Sequence, residues 1–141
     1  MGKKGGESQG IIFFKMSYLF DSNILIDFLN GRKETYSWVM EQRKLGSNLS
    51  VAFISRIEVL SMAELKDSQV KQIEDFLDTF RVDLFLSNSI LTTAAALRRK
   101  KHLTLGDAMV AATAIVGRMT LVTNDKKLAK GVKDLIPVLS I

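Results

Sequence analysis

The chain has no cysteine, a single histidine, a single proline and no apolar run free of charge long enough to span a bilayer. Without cysteine there are no disulfides, thiolate nucleophiles, Cys-ligated zinc sites or iron–sulfur clusters. A lone His102 excludes multi-histidine zinc sites as well. Any metal must therefore be held mainly by oxygen, which points to hard ions such as Mg²⁺ or Mn²⁺. The most apolar early stretch, Ile11–Leu29, carries Lys15, Asp21 and Asp27, and charges in the middle of a span are costly. The apolar run Ile11–Phe14 is too short for a signal peptide and no small-residue cleavage site follows it. No membrane association is expected, and a cytoplasmic setting is the default.

What remains is globular composition: 141 residues, 47% hydrophobic and 25% charged, enough for one domain with a sizeable core. The formal net charge is +5, of which residues 1–15 contribute three Lys against one Glu. These fifteen residues read as an N-terminal extension, a tag or a misread start ahead of Met16, leaving residues 16–141 as the domain. The remaining basic excess permits nucleic-acid binding without demonstrating it.

Strand-like and helix-like segments alternate along the chain. Strands are expected at Ser17–Phe20, Leu49–Ile54, Val82–Leu86, Thr120–Thr123 and Val138–Ile141. Helices are expected at Ile24–Leu29, Glu34–Leu45, Ser55–Leu65, Ser68–Phe80, Ser89–Lys101 and Leu105–Arg118, with a short turn at Lys126–Lys130. Asn30-Gly31 and Gly46 read as helix stops. Trp38, Val39 and Leu45 are candidates for burial on one helix, and Ile90, Leu91, Ala94 and Leu97 on another. Helix 105–118 is apolar almost all round, as expected of a helix buried on several sides. Such alternation is the signature of an α/β domain with a parallel sheet.

Four acids stand out by position. Asp21 closes the first strand, Glu58 lies in the helix after the second, Asp107 opens the long apolar helix, and Asp125 follows the fourth strand. Ligands of open α/β sheets bind at the carboxyl ends of strands. Each acid also has a local explanation: Ser55-Arg56-Ile57-Glu58 fits a capping box, Thr104–Asp107 allows a similar cap, and Asp21 and Asp125 can cap the helices they precede. Glu58 would share a helical face with Met62 and Leu65, and Asp107 with Ala111 and Ala114, so both border apolar surface. Two like charges ~4 Å apart repel by roughly 4 kcal/mol at an effective dielectric near 20. Four converging carboxylates call for a counter-ion, and only Arg56 and Lys126 are interleaved among the motifs.

The runs YLFDSNILIDFLNG, ISRIEVL, LGDAMVAATA and LVTNDKKLAKG, in this order and spacing, resemble the PIN-domain ribonucleases, and most of all the VapC-type toxins of toxin–antitoxin pairs. The resemblance covers residues 16–141 and implies a three-layer α/β fold, a central, mostly parallel sheet of four to five strands flanked by helices. It implies that Asp21, Glu58, Asp107 and Asp125 bind Mg²⁺ or Mn²⁺ and carry catalysis, with Asn23 and Thr123 as polar neighbours of the first and last acids. It assigns no firm role to Asn124, and Asp27 reads as a structural or solvated acid. It also implies a homodimer and an antitoxin partner that masks the site.

Hydrolysis of an RNA phosphodiester needs a nucleophile and relief of charge on phosphoryl oxygens, and a carboxylate-held metal that activates water provides both. Asp21 and Asp107 are first choices as direct ligands; Glu58 and Asp125 are left between a second ion, water positioning and proton acceptance. For RNA contact the densest basic cluster is Arg98, Arg99, Lys100 and Lys101, which equally suits a solvated helix end; Lys126 and Lys127 are further candidates. Phe76, Phe80 and Phe85 read as core, and Tyr36 and Trp38 as candidates for a protein interface. The alternatives are a non-catalytic RNA-binding or assembly module on the same fold, and another Mg²⁺-dependent phosphohydrolase or a phospho-accepting receiver domain. Asp21-Ser22-Asn23 lacks the second Asp of the phosphohydrolases, and no acid pair of the receiver type is visible.

Overall fold

A computed structural model describes residues 15–62, 64–83 and 87–141. Five strands, β1 (Ser17–Phe20), β2 (Asn48–Ala52), β3 (Arg81–Asp83), β4 (Thr120–Val122) and β5 (Val138–Leu139), form one sheet in the order β3-β2-β1-β4-β5. Every neighbouring pair is parallel, with Phe20 opposite Val51 on one side and Val122 on the other. Seven helices accompany them among the described residues: α1 (Ser22–Leu29), α2 (Lys33–Leu45), α3 (Phe53–Leu60), α4 (Asp67–Leu77), α5 (Asn88–Lys101), α6 (Leu105–Gly117) and α7 (Lys126–Val132).

The three layers follow from strands buried on both faces. In β1, Leu19 faces one core with Ala52, Leu121 and the apolar sides of α5, α6 and α7. Its neighbours Tyr18 and Phe20 face the other, with Ile24, Val39, Val59, Leu77 and Phe80. Alternate side chains leave opposite faces of a strand, so a run such as Tyr18-Leu19-Phe20, apolar on both faces, needs cover on both sides. Helix α6 lies deepest: Ala108, Val110, Ala111, Ala112 and Ala114 are fully buried, and their small side chains let α5 pack close along it.

The strand order reverses about β1, which has β2 on one side and β4 on the other. The crevice this creates lies at the carboxyl ends of β1 and β4. Asp21 follows the first and Thr123 the second.

Several boundaries differ from the sequence reading. The helix expected at 55–65 spans Phe53–Leu60, with Ala52 at its N-cap, so Ser55 is an interior, fully buried residue rather than the head of a capping box. The helix stops early: the Ser61 hydroxyl bonds back to the Ile57 carbonyl at 2.6 Å and its N–H turns to Glu58, so Met62 and Leu65 are not on the helix. The third strand starts at Arg81, and the expected residues 84–86, Phe85 among them, lie outside the described residues. The last strand pairs only at Val138–Leu139. Leu45 and Leu91 are exposed rather than core. Trp38 turns inward, edge-on to Tyr18 and Phe20, whereas Tyr36 stays half-exposed against Phe28. Among the described residues no helix is long and apolar enough to cross a membrane.

Candidate active site

Three helix N-termini meet the carboxyl edge of the sheet, and each carries one of the expected acids. Asp21 is the N-cap of α1, Asp107 sits in the first turn of α6 behind the Thr104 cap, and Asp125 is the N-cap of α7. The partial positive charge and free N–H groups of a helix start favour an anion there. The capping readings therefore hold for Asp21 and Asp125, whereas on α6 Thr104 is the cap and the Asp107 carboxylate is left for other work.

Asp21 is only 5% exposed. One carboxylate oxygen accepts the Ser22 N–H at 2.8 Å, and the other accepts the Thr123 hydroxyl at 2.8 Å. Burial pushes its pKa above the ordinary carboxylate range; the Thr123 and Ser22 hydrogen bonds oppose this, and the charge of Asp125 adds to it. Thr123, itself buried, accepts the Asp125 N–H at 3.0 Å with the same hydroxyl, so one side chain joins the first acid to the last. Asp125 Oδ1 then accepts the N–H groups of Lys127 and Leu128 at 3.0 and 3.1 Å.

Asp107 is also held above the carboxylate range, first by desolvation and then by the charges of Asp21 and Asp125, against the Thr104 hydroxyl and Lys127. Glu58 keeps solvent on its outer side, yet its pKa is raised by desolvation, with Asp21 and Asp107 adding to the rise and the Ser22 side chain opposing it. All four expected acids are thus brought into one electrostatically coupled group. Gly106 leaves room beside it: a Cβ there would stand 3.3 Å from Glu58 Oε2.

The donor set is all carboxylate, partly desolvated and self-repelling, which suits a hard divalent cation. Among the described residues no three Asp, Glu or His side chains already form a cage around one point. Such a cage is not required for small hard ions, which keep several waters and take one or two carboxylates.

The other expected site residues divide. Thr123 stands between the acids, whereas Asn23 is exposed on the first turn of α1 and makes no hydrogen bond to them among the described residues. Arg98, Arg99 and Lys100 are exposed on the last turn of α5, while Lys101 is paired with Asp134 at 2.8 Å. Lys126 is exposed; its neighbour Lys127 is the lysine whose charge reaches Asp107. Arg56 is turned away to Asp78 at 2.9 Å, and Asp27 is paired with Arg32 at 3.4 Å. Ser22, not singled out by the sequence, proves to be the buried side chain facing both Asp21 and Glu58. Its only signal was its place directly after the first acid.

The family model described as PIN domain matches residues 18–133. Among solved structures, a toxin–antitoxin complex from Klebsiella pneumoniae holds a chain 31% identical to this one, with 87% of this chain and 96% of that chain covered and a TM-score of 0.69. VapBC2 from Rickettsia felis, bound to a DNA fragment from its promoter, matches at 20% identity over 89% of this chain and 99% of that chain, with a TM-score of 0.73. VapBC-1 from nontypeable Haemophilus influenzae also matches at 20% identity, over 89% and 98%, with a TM-score of 0.73. At 20% identity these last two support the fold. A search of the curated proteins finds no match.

Proposed function

This chain belongs to the PIN domain family, and on that premise we propose that it is a metal-dependent endoribonuclease, the toxin of a toxin–antitoxin pair. The observation that carries the proposal is the placing of the acids: Asp21, buried at the carboxyl end of β1, shares the Thr123 hydroxyl with Asp125 at the head of α7, and Asp21, Glu58 and Asp107 have pKa values raised by burial and further by the charge of neighbouring acids. A fold has little reason to tolerate such repulsion at a sheet crevice unless a cation relieves it.

Asp21 and Asp107 are the principal holders of Mg²⁺ or Mn²⁺ in this proposal, with Glu58 and Asp125 completing the set. The ion, when bound, activates water and neutralises charge on the phosphoryl oxygens. The chain's own residues do the rest. Ser22 and Thr123 fix the rotamer of Asp21, so its oxygens need not reorganise when substrate arrives. Glu58, the most solvent-accessible member, is the acid best placed to accept a proton, and its raised pKa moves it toward working pH. Lys127 meets a phosphate next to Asp107, with Lys126 beside it and Arg98, Arg99 and Lys100 supplying further contacts, which binds an RNA backbone by charge.

An antitoxin partner, a homodimer and a cytoplasmic setting belong to the same proposal. The toxin–antitoxin complex that contains a chain 31% identical to this one supports the partner. The direct test is a labelled single-stranded RNA incubated with Mn²⁺ or Mg²⁺. Cutting that stops with chelator, and is absent in the Asp21→Asn/Asp107→Asn double variant, supports the reading. An RNA left intact by pure protein at millimolar Mn²⁺ overturns it.

A further inference from the structure

Asn124, to which the sequence assigns no role, uses its whole side-chain amide on the last two residues of the chain. Its Nδ2 donates to the main-chain oxygen of Ile141 at 2.7 Å, and its Oδ1 accepts the Ser140 hydroxyl at 2.5 Å and the Ile141 N–H at 2.9 Å. Its two neighbours act on the site: Thr123 donates to Asp21, and Asp125 heads α7. Residues 123–125 belong to no helix or strand, so only what they touch fixes them. Side chains alternate along extended backbone, and here two residues work toward the acids while the one between them grips residues 140–141.

The grip reaches further. Arg32 Nη1 donates to the same Ile141 oxygen at 3.0 Å and also contacts Asp27 on α1, the helix that Asp21 caps. Strand β5 joins in through the Thr123 N–H, which donates to the Leu139 carbonyl at 3.0 Å. Residues 139–141 therefore touch both the segment that carries Asp125 and the turn that ends α1.

We propose that Asn124 is a positioning residue of the acid site: by clasping residues 140–141 it holds Thr123 on Asp21 and Asp125 at the head of α7. Its consequence for activity rests on the nuclease reading; its consequence for backbone order does not.

The test compares wild type, Asn124→Ala, a chain lacking residues 140–141, and the two changes together. In the metal-free proteins, amide exchange at Lys127 and Leu128 should quicken at least several-fold in each variant, with Val110 in the core of α6 unchanged. Calorimetric Mn²⁺ binding should weaken about tenfold, the size expected when a group orienting a ligand is lost. RNA cleavage should lose kcat with KM held. The double change should be no worse than the stronger single one, because both remove the same contact. Wild-type exchange rates at Lys127 and Leu128 in Asn124→Ala, or losses that add in the double variant, overturn the proposal. Wild-type protein that neither binds Mn²⁺ nor cuts RNA sinks the nuclease reading alone, since the exchange measurement still decides the clasp.

Discussion

Thr123 donates its hydroxyl to Asp21 Oδ2 at 2.8 Å although 102 residues separate them, and the Thr123 Oγ1 in turn accepts the Asp125 N–H at 3.0 Å. This hydroxyl is one of the contacts opposing the upward push of burial on Asp21. Thr123→Val keeps the shape and removes the donor, leaving a buried carboxylate oxygen and an N–H without their partner. The expected cost is about 1–3 kcal/mol of stability, with weaker Mn²⁺ binding. Thr123→Ser restores both. Melting curves with and without Mn²⁺ decide it, and a valine variant with wild-type Mn²⁺ response refutes the role.

The three raised carboxylates make a pH prediction. Their folded-state pKa values lie above the unfolded ones, so in this range the folded protein binds more protons and stability falls as pH rises. The contribution is fully present below the ordinary carboxylate pKa and is lost as pH climbs through the raised values. In chelator, wild type should therefore melt lower at pH 7.5 than near pH 5, and Asp107→Asn should remove part of that fall. Added Mn²⁺ should restore the wild-type midpoint by mass action and leave Asp107→Asn less responsive. A metal-free protein most stable at pH 7.5 contradicts the coupling.

Much of this site was legible because strand ends and helix starts announce themselves. The run Tyr18-Leu19-Phe20 closed by Asp21, and another strand followed by Thr123 and Asp125, put acids at a sheet edge from the pattern alone. Helix α3 was not legible in detail. Ser55 and Glu58 have capping-box spacing, but the buried strand runs straight into helix at Ala52–Phe53 with no side-chain cap, and Ser55 Oγ ends buried without a hydrogen-bond partner. The contacts of Ser22 and Asn124 escaped for a different reason. Each is set by a group distant in sequence, Glu58 for one and Ile141 for the other, and no local pattern encodes such a meeting.

The basic end of α5 should not act as a block. Arg98, Arg99 and Lys100 are exposed with no ion pair among the described residues, whereas Lys101 is held by Asp134 and joins α5 to the turn after α7. If the first three meet RNA phosphates, each substitution to Ala should lower the slope of log affinity against log salt by about 0.7. Lys101→Ala should change that slope less. Fluorescence anisotropy of a labelled RNA in chelator, titrated with KCl, measures it. Equal slopes for all four variants would mean that the cluster contributes only general charge.

Gly106 offers the sharpest separation of folding from function. It lies in the first turn of α6 with ordinary helical backbone, so Ala is conformationally welcome and removes freedom from the unfolded chain, a gain of about 0.4–1 kcal/mol. The new Cβ, however, would stand 3.3 Å from Glu58 Oε2, closer than a comfortable contact, and the carboxylate must give way. Because Glu58 lies at the end of a flexible, exposed side chain, that displacement costs little stability. Gly106→Ala should thus melt at or slightly above the wild-type temperature while losing cleavage rate by tenfold or more. If Glu58 only decorates the rim, the variant will be stabilised and fully active, and the four-acid reading must shrink to three.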